Sequence, residues 1–208
     1  MNAKYIFFLI IVLFSFIGCM KRDLFQRLLK RDNITYSEYD AKRDHASLDE
    51  LVMKNAFWLF HGNVDKSKLA IYNNMIEKSH ISDDFDVFEK VPYYTFVARK
   101  ENKVVGFITY YISTFKDPKT HETKKIGRIH LLCVDSDCRR VGIGIHLVKE
   151  VIEFFKKEFC FRAYLLTRPE NIKAKSLYYK VGFVESEKTD FAACLYDENP
   201  AEFLIKDL

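Results

Sequence analysis

The residues best placed to do chemistry are Arg139-x-x-Gly142-x-Gly144. They follow the apolar run Ile129–Val134 and a short polar turn, and a long helical pattern starts directly behind them. A strand, a glycine-bearing turn and a helix in that order aim backbone N–H groups, and the positive end of the helix, at an anion. Glycine lets a ligand approach the backbone with no Cβ in the way. The side chains of Arg139 and Arg140 add charge-assisted hydrogen bonds to a phosphate group. The amides of Arg139, Arg140, Val141, Gly142, Ile143 and Gly144 are therefore a candidate phosphate cradle, with an ordinary tight turn as the alternative. Two common phosphate motifs do not fit. A Walker A loop ends in Gly-Lys-Ser/Thr, and Gly144 is followed by Ile145 and His146. A dinucleotide fingerprint has a third small residue three positions on, where Leu147 stands.

A second block follows: Asn171-x-x-Ala174-x-x-Leu177-Tyr178-x-Lys180-x-Gly182-Phe183. The first block resembles the acyl-CoA loop of the GNAT N-acyltransferase superfamily, Arg/Gln-x-x-Gly-x-Gly/Ala after a strand ending in valine, through Val134, Arg139, Gly142 and Gly144. The second is similar to the same family's Asn-x-x-Ala-x-x-Leu-Tyr-x-Lys-x-Gly-Phe. The two blocks stand in order and at the family's separation, and the resemblance extends over residues 34–208. It implies an α/β (α+β) domain, a mixed and mainly antiparallel sheet flanked by helices. It also implies acetyl transfer from acetyl-CoA to a primary amine, on a small-molecule or protein acceptor, without a metal.

The resemblance implies site roles residue by residue. Leu132, Cys133 and Val134 lie at the strand end on the cofactor, and the backbone N–H of Val134 is the donor to the developing oxyanion; preorganised backbone donors are effective in that role. Tyr178 matches the tyrosine that protonates the departing sulfur, the alternative being a tyrosine merely packed against the sheet. An unperturbed phenol, with pKa about 10, is protonated at neutral pH. Tyr179 points about 100° away around the helix and cannot share the task. Asn171 either contacts the cofactor or caps its helix. Many relatives carry a glutamate base six residues before the valine, and Arg128 occupies that position here. His130, on the same strand face as Arg128, is the substitute candidate, because its reference pKa near 6.5 suits a base. Deprotonation through water and a satisfied, partly buried histidine are the other readings, and Arg128 could instead bind an acidic acceptor.

These residues need a scaffold, and the pattern supplies one. Ile34–Tyr39 reads as a strand. Ser47-x-x-Glu50 reads as a capping box ahead of a helical repeat through Leu48, Leu51, Val52, Ala56 and Leu59. Gly62-Asn63 breaks it, and a second helix presents Leu69, Tyr72 and Ile76 before the acidic turn at residues 82–86. Tyr93–Arg99, Glu101–Lys103 and Val104–Ser113 form a hairpin of β-branched and aromatic residues. Phe115–Lys124 is read as a loop, then Ile126–Val134 as the strand that enters the cradle. Val148, Val151, Ile152, Phe155 and Phe159 stripe the following helix. Arg162–Thr167 is a strand, Asn171–Val181 a helix closed by Gly182, and Phe191–Leu195 and Glu202–Lys206 are the last strands.

The chain has 208 residues, 49% hydrophobic and 30% charged, with 19 Phe and 12 Tyr, the composition of one globular domain with a sheet-rich core. Residues 1–20 stand apart. Lys4 precedes an apolar run from Tyr5 to Gly18, and Phe16-Ile17-Gly18-Cys19 looks like a lipobox with Cys19 as the lipidated residue. As a helix, Tyr5–Met20 covers about 24 Å, short of the ~30 Å hydrocarbon core, which suits a signal peptide. The competing reading is an uncleaved anchor with the domain in the cytosol, since Lys21, Arg22, Arg27, Lys30 and Arg31 follow the run. Residues 21–33 are then a basic juxtamembrane linker. Residues 1–33 hold six Lys/Arg against two Asp/Glu, so the chain's net charge of +4 resides there and the domain is neutral. A neutral domain gives no charge argument for nucleic-acid binding. The five cysteines form no Cys-x-x-Cys pair, and Cys133 and Cys194 read as core residues.

Overall fold

The computed structural model describes residues 33–59, 92–116, 120–186 and 202–208. The apolar run and Cys19, the second expected helix, the acidic turn and the expected strand at 191–195 lie outside them. Among the described residues no helix is long and apolar enough to cross a membrane.

Seven strands form one sheet: β1 (Ile34–Glu38), β2 (Tyr94–Lys100), β3 (Lys103–Lys116), β4 (Thr123–Val134), β5 (Arg162–Thr167), β6 (Val184–Glu185) and β7 (Glu202–Asp207), in the order β1-β2-β3-β4-β5-β7-β6. All neighbours are antiparallel except β4 and β5. The mixed, mainly antiparallel sheet flanked by helices is the expected fold. β2 and β3 turn through Glu101-Asn102, both at positive φ, the two-residue loop whose twist matches a hairpin. β3 and β4 run on past the expected boundaries, pairing Phe115 with Lys124 and Lys116 with Thr123, so both ends of the expected charged loop are strand.

Helix α1 (Ala41–Leu59) packs on one face of the sheet, burying Leu48, Leu51 and Val52 against Val97, Val104, Phe107 and Cys133. Helices α2 (Ile143–Lys157) and α3 (Ile172–Lys180) cover the other face. α2 delivers Val148, Val151, Ile152 and Phe155 to the core as its stripe requires, but not Phe159. The helix ends at Lys157, Phe159 takes a left-handed conformation at φ 59, and Cys160 N–H returns to Phe155 O. That reversal places Cys160 in the core and leaves Phe159 87% exposed.

α1 also starts earlier than the capping-box pattern implies. Asp40 caps it by accepting from Lys42 N–H, and Asp44 reaches back to Asp40 N–H at 2.8 Å. Ser47 lies within the helix, where its hydroxyl donates to Asp44 O and accepts from Val104 N–H. Asp44 is fully buried and takes two bonds from Arg99 on β2, from Nε at 2.6 Å and from Nη2 at 2.5 Å. The remaining Arg99 donors go to Ser37 Oγ and Glu38 O on β1. One guanidinium thus locks α1, β1 and β2 together.

Burial alone would raise the Asp44 carboxyl, but Arg99, the Asp40 amide and Arg43 outweigh it and hold the pKa down to about 2. A depressed carboxylate pKa adds stability that is complete above its unfolded value and is lost as pH falls through the folded one. Denaturant titration should therefore show stability declining between pH 4 and about 2, with a shallower slope in Asp44→Asn. At neutral pH that substitution strands the Arg99 charge and should cost about 3–5 kcal/mol.

Candidate active site

The site begins where β4 and β5 part. Parallel pairing links Ile126–Ile129 to Arg162–Leu165 and then stops, so residues 130–134 of β4 run on without β5 beside them. Asp135 N–H donates to Val105 O at 2.8 Å and Leu131 N–H to Thr109 Oγ1 at 3.1 Å, so these odd-numbered amides turn toward β3. Strand alternation then turns the Leu132 and Val134 amides to the opposite edge, into the gap. This is the edge on which the sequence placed the acyl-end donor.

Beyond Val134, Asp135 caps a short 3-10 turn (Ser136–Cys138) by accepting from Asp137 N–H. The chain then enters α2 through Arg140 and Gly142, both at positive φ. At this end His146 N–H donates to Gly142 O at 3.0 Å, and Gly142 supplies no capping side chain. The amides of Ile143, Gly144 and Ile145 are thus the first-turn donors that an α-helix cannot use internally. A Cβ on Gly142 would meet nothing within 4 Å, so open space lies before them. Exposed donors, the helix dipole and that space fit a diphosphate.

The two motif glycines do different work. Gly142 is needed for its φ of +93. Gly144 is buried, and a Cβ there would lie 2.7 Å from Leu177 Cδ1, so it is needed for the contact between α2 and α3. Ligand approach accounts for neither of these demands. The Arg139 side chain also departs from the expected phosphate contact. Its Nε donates to Val134 O at 2.8 Å and its Nη2 to Asn55 Oδ1 of α1 at 3.1 Å. Beside it, Lys54 Nζ bridges Asp135 at 2.9 Å and Asp137 at 3.2 Å. Lys54 and Asn55 escaped the sequence reading. The available signal was a polar residue one turn beyond Leu51, on the buried side of α1.

Asn171 caps α3, its Oδ1 accepting from Ala174 N–H at 3.3 Å. Gly182 closes the helix at φ 91, with Gly182 N–H to Tyr179 O and Phe183 N–H to Tyr178 O. Tyr178 is buried beside Phe183, ring edge to face, and burial pushes its phenol well above the usual range, so it stays protonated. Tyr179 points outward and bonds Glu185.

His130 is the extra residue of a bulge: Thr109 pairs with Leu131 and Tyr110 with Ile129. Its ring meets Tyr93 edge to face at 5.4 Å. Burial, with the Arg128 charge second, holds its pKa down to about 3. The reference pKa that made it a candidate base does not survive folding, and the imidazole is neutral at physiological pH. Arg128 is buried, donating to Tyr111 Oη at 2.7 Å and lying near the faces of Tyr111 and Tyr164. Burial likewise pushes the Cys133 thiol up to about 12, leaving it a core residue. Among the described residues no group of His, Cys, Asp and Glu could hold a metal ion.

A strand with an open edge running into an uncapped helix N-terminus, followed by a helix with a buried tyrosine, is the arrangement the resemblance implied. The profile described as the acetyltransferase (GNAT) family matches residues 38–183, and the chain belongs to this family. It is 42% identical over 62 residues to N-alpha-acetyltransferase 30 of Xenopus laevis, covering 30% of this chain and 23% of that protein. It is 32% identical over 116 residues to human N-acetyltransferase 8, covering 56% and 46%. The chain thus matches less than half the length of either relative. In fold it is similar to a GNAT-family acetyltransferase of Staphylococcus aureus, with a TM-score of 0.60, 20% identity and 84% of this chain and 99% of that one covered. It is also similar to the PaiA N-acetyltransferase of Thermoplasma acidophilum in complex with coenzyme A, with a TM-score of 0.58, 15% identity and 85% and 99% covered.

The Gly144–Leu177 contact gives a direct test. Gly144→Ala should cost about 1–3 kcal/mol. Combined with Leu177→Ala, it should cost less than the sum of the single changes by about 1 kcal/mol, read by urea denaturation.

Proposed function

We propose that this chain is an N-acetyltransferase that moves an acetyl group from acetyl-CoA to a primary amine. The observation that carries the reading is the continuity of the open β4 edge with the α2 N-terminus. One strand and one turn thereby offer donors for both the acyl end and the diphosphate of a single extended cofactor. In this reading acetyl-CoA supplies the activated thioester. The amides at Ile143–Ile145 hold the diphosphate, and Arg140 adds charge at the loop. The Val134 N–H, with Leu132 N–H behind it on the same edge, donates to the carbonyl oxygen as negative charge develops there. The amine nitrogen bonds to the carbonyl carbon, the carbon–sulfur bond breaks, and Tyr178 gives its proton to the sulfur. Water removes the proton from the amine, because His130 at a pKa of about 3 can accept a hydrogen bond but is a poor base. Asn171 acts as a helix cap that sets the start of α3 and hence the bearing of Tyr178.

Arg128, standing where many relatives carry a glutamate, favours a second reading: a member of the family that binds coenzyme A without catalysis. Calorimetric titration of the full chain with acetyl-CoA, repeated with Gly142→Glu, comes first. Binding that the substitution abolishes is expected, and absence of binding by the folded wild type would sink both readings. In an amine panel Tyr178→Phe should lower kcat about 100-fold with little change in the KM for acetyl-CoA. Binding without turnover across the panel would favour the second reading.

The proposal extends to the membrane. Residues 1–20 either are cleaved and leave a lipidated Cys19, or remain as an anchor that holds the domain at the cytosolic face, where acetyl-CoA is made available. The anchored form is the one that fits an acetyl-CoA enzyme. Mass spectrometry of the mature N-terminus should find an unmodified Cys19; a diacylglyceryl group there would overturn the anchored form.

A further inference from the structure

We infer that Asn55, on the helix across the sheet from the coenzyme loop, is a positioning residue for acetyl-CoA, acting through Arg139. The inference rests on the acetyl-CoA reading above and adds a residue to that site. Asn55 lies one turn beyond Leu51 on the buried side of α1 and is itself buried, with 5% of its surface exposed. Asparagine is a weak helix former, and a polar side chain on a buried helix face costs stability unless it is bonded. Here it is bonded in one orientation. Nδ2 donates to Leu51 O at 2.8 Å, which turns Oδ1 outward to accept from Arg139 Nη2 at 3.1 Å. Arg139 in turn donates from Nε to Val134 O at 2.8 Å. Strand alternation puts that carbonyl on the same open edge as the Val134 N–H. The guanidinium therefore spans the peptide that ends β4 and the side chain that ends the buried stripe of α1. It does so three residues before Gly142, at the entrance to the amides of the α2 N-terminus.

The planar guanidinium makes this a rigid link, because Nε and Nη2 are fixed relative to each other in one fork. Two distant parts of the cofactor site, the acyl-end donor and the diphosphate amides, are thereby held in one register. Lys54 supports the same turn from the same helix through Asp135 and Asp137, with bonds that, like that of Arg139 to Val134 O, lie at the surface. Asn55 is the buried end of the link. Transition-state and cofactor contacts lose strength steeply when donors shift by about 1 Å, so a side chain that touches no ligand can still set affinity.

Asn55→Leu separates this role from a purely structural one. Leucine has similar branching, a better helix propensity and an apolar surface suited to the stripe. The thermal midpoint should hold or rise, while affinity for acetyl-CoA measured by calorimetry should fall about tenfold, the scale of one lost charge-assisted bond. Asn55→Asp, which returns an acceptor to Arg139, should recover most of that affinity. In an Arg139→Lys background, which lacks the fork, Asn55→Leu should add no further loss. Amide exchange of residues 139–144 in the ligand-free chain should quicken in Asn55→Leu. Unchanged affinity in Asn55→Leu overturns the positioning role. If Asn55→Leu does not fold, Asn55→Ala takes its place, and losses in Asn55→Ala and Arg139→Lys that add in full overturn it instead. If the wild type binds no acetyl-CoA, the function proposed above fails. The exchange measurement then decides whether Asn55 orders the loop, and unchanged exchange rejects it.

Discussion

The site depends on a sheet that stops pairing. β4 and β5 share only four residue pairs, and the strand that leaves the partnership keeps its backbone donors. Unpaired strand edges are ordinarily hazards, because they template association with other chains. Here the edge is short, lies between strands rather than at the margin of the sheet, and opens beside a helix terminus. Core packing supports the parting from both faces: Ile129, Ala163 and Leu165 are buried with α2 and α3, whereas Leu131 and Cys133 are buried with or packed against α1. The gap is thus a property of the fold.

The polar structure around that gap divides into a permanent part and an exposed part. Arg99 with Asp44, both buried, ties the start of α1 to β1 and β2. Arg139 with Asn55 ties the other end of the same helix to the strand that carries the site. α1 is therefore anchored at both ends by arginine, and each arginine uses more than one of its donors, which a lysine could not do with the same geometry. The helix N-terminus of α2, by contrast, has no capping side chain, so its dipole and amides face outward.

The sheet-and-helix order and the glycine-bearing turn at the head of α2 were legible because they rest on local signals: strand alternation, helical stripes and two glycine-bearing blocks. What the sequence hid were interactions between residues far apart in the chain. Asp44 looked like one charge among several near Lys42 and Arg43, yet it is buried in the first turn of α1, paired with Arg99 from β2. Phe159 continued an apolar stripe, but the helix ends two residues earlier and the chain reverses. Arg139 read as a phosphate ligand because its motif says so, while its nearest acceptors come from β4 and α1. His130 had a suitable reference pKa, which burial and the neighbouring guanidinium lower once the chain is folded. Gly144 read as a ligand-facing glycine, and its closest neighbour is a leucine of the second block.

The bulge at His130 decides which face of the sheet the upstream residues occupy. Counting back by twos from Val134 would put Arg128 on the α2 side of the sheet, together with Leu132. The extra residue reverses that parity, so Arg128 and His130 join Tyr111 and Tyr93 on the other side, while Gly127 lies under the ring of Phe155. If β4 kept its length and its later pairing but took residue 130 into regular alternation, everything upstream would exchange faces. The guanidinium would then be driven toward the space Phe155 fills, and glycine would be left where the arginine is needed. The bulge in β4 is therefore as much a part of the site as the identity of any residue in it.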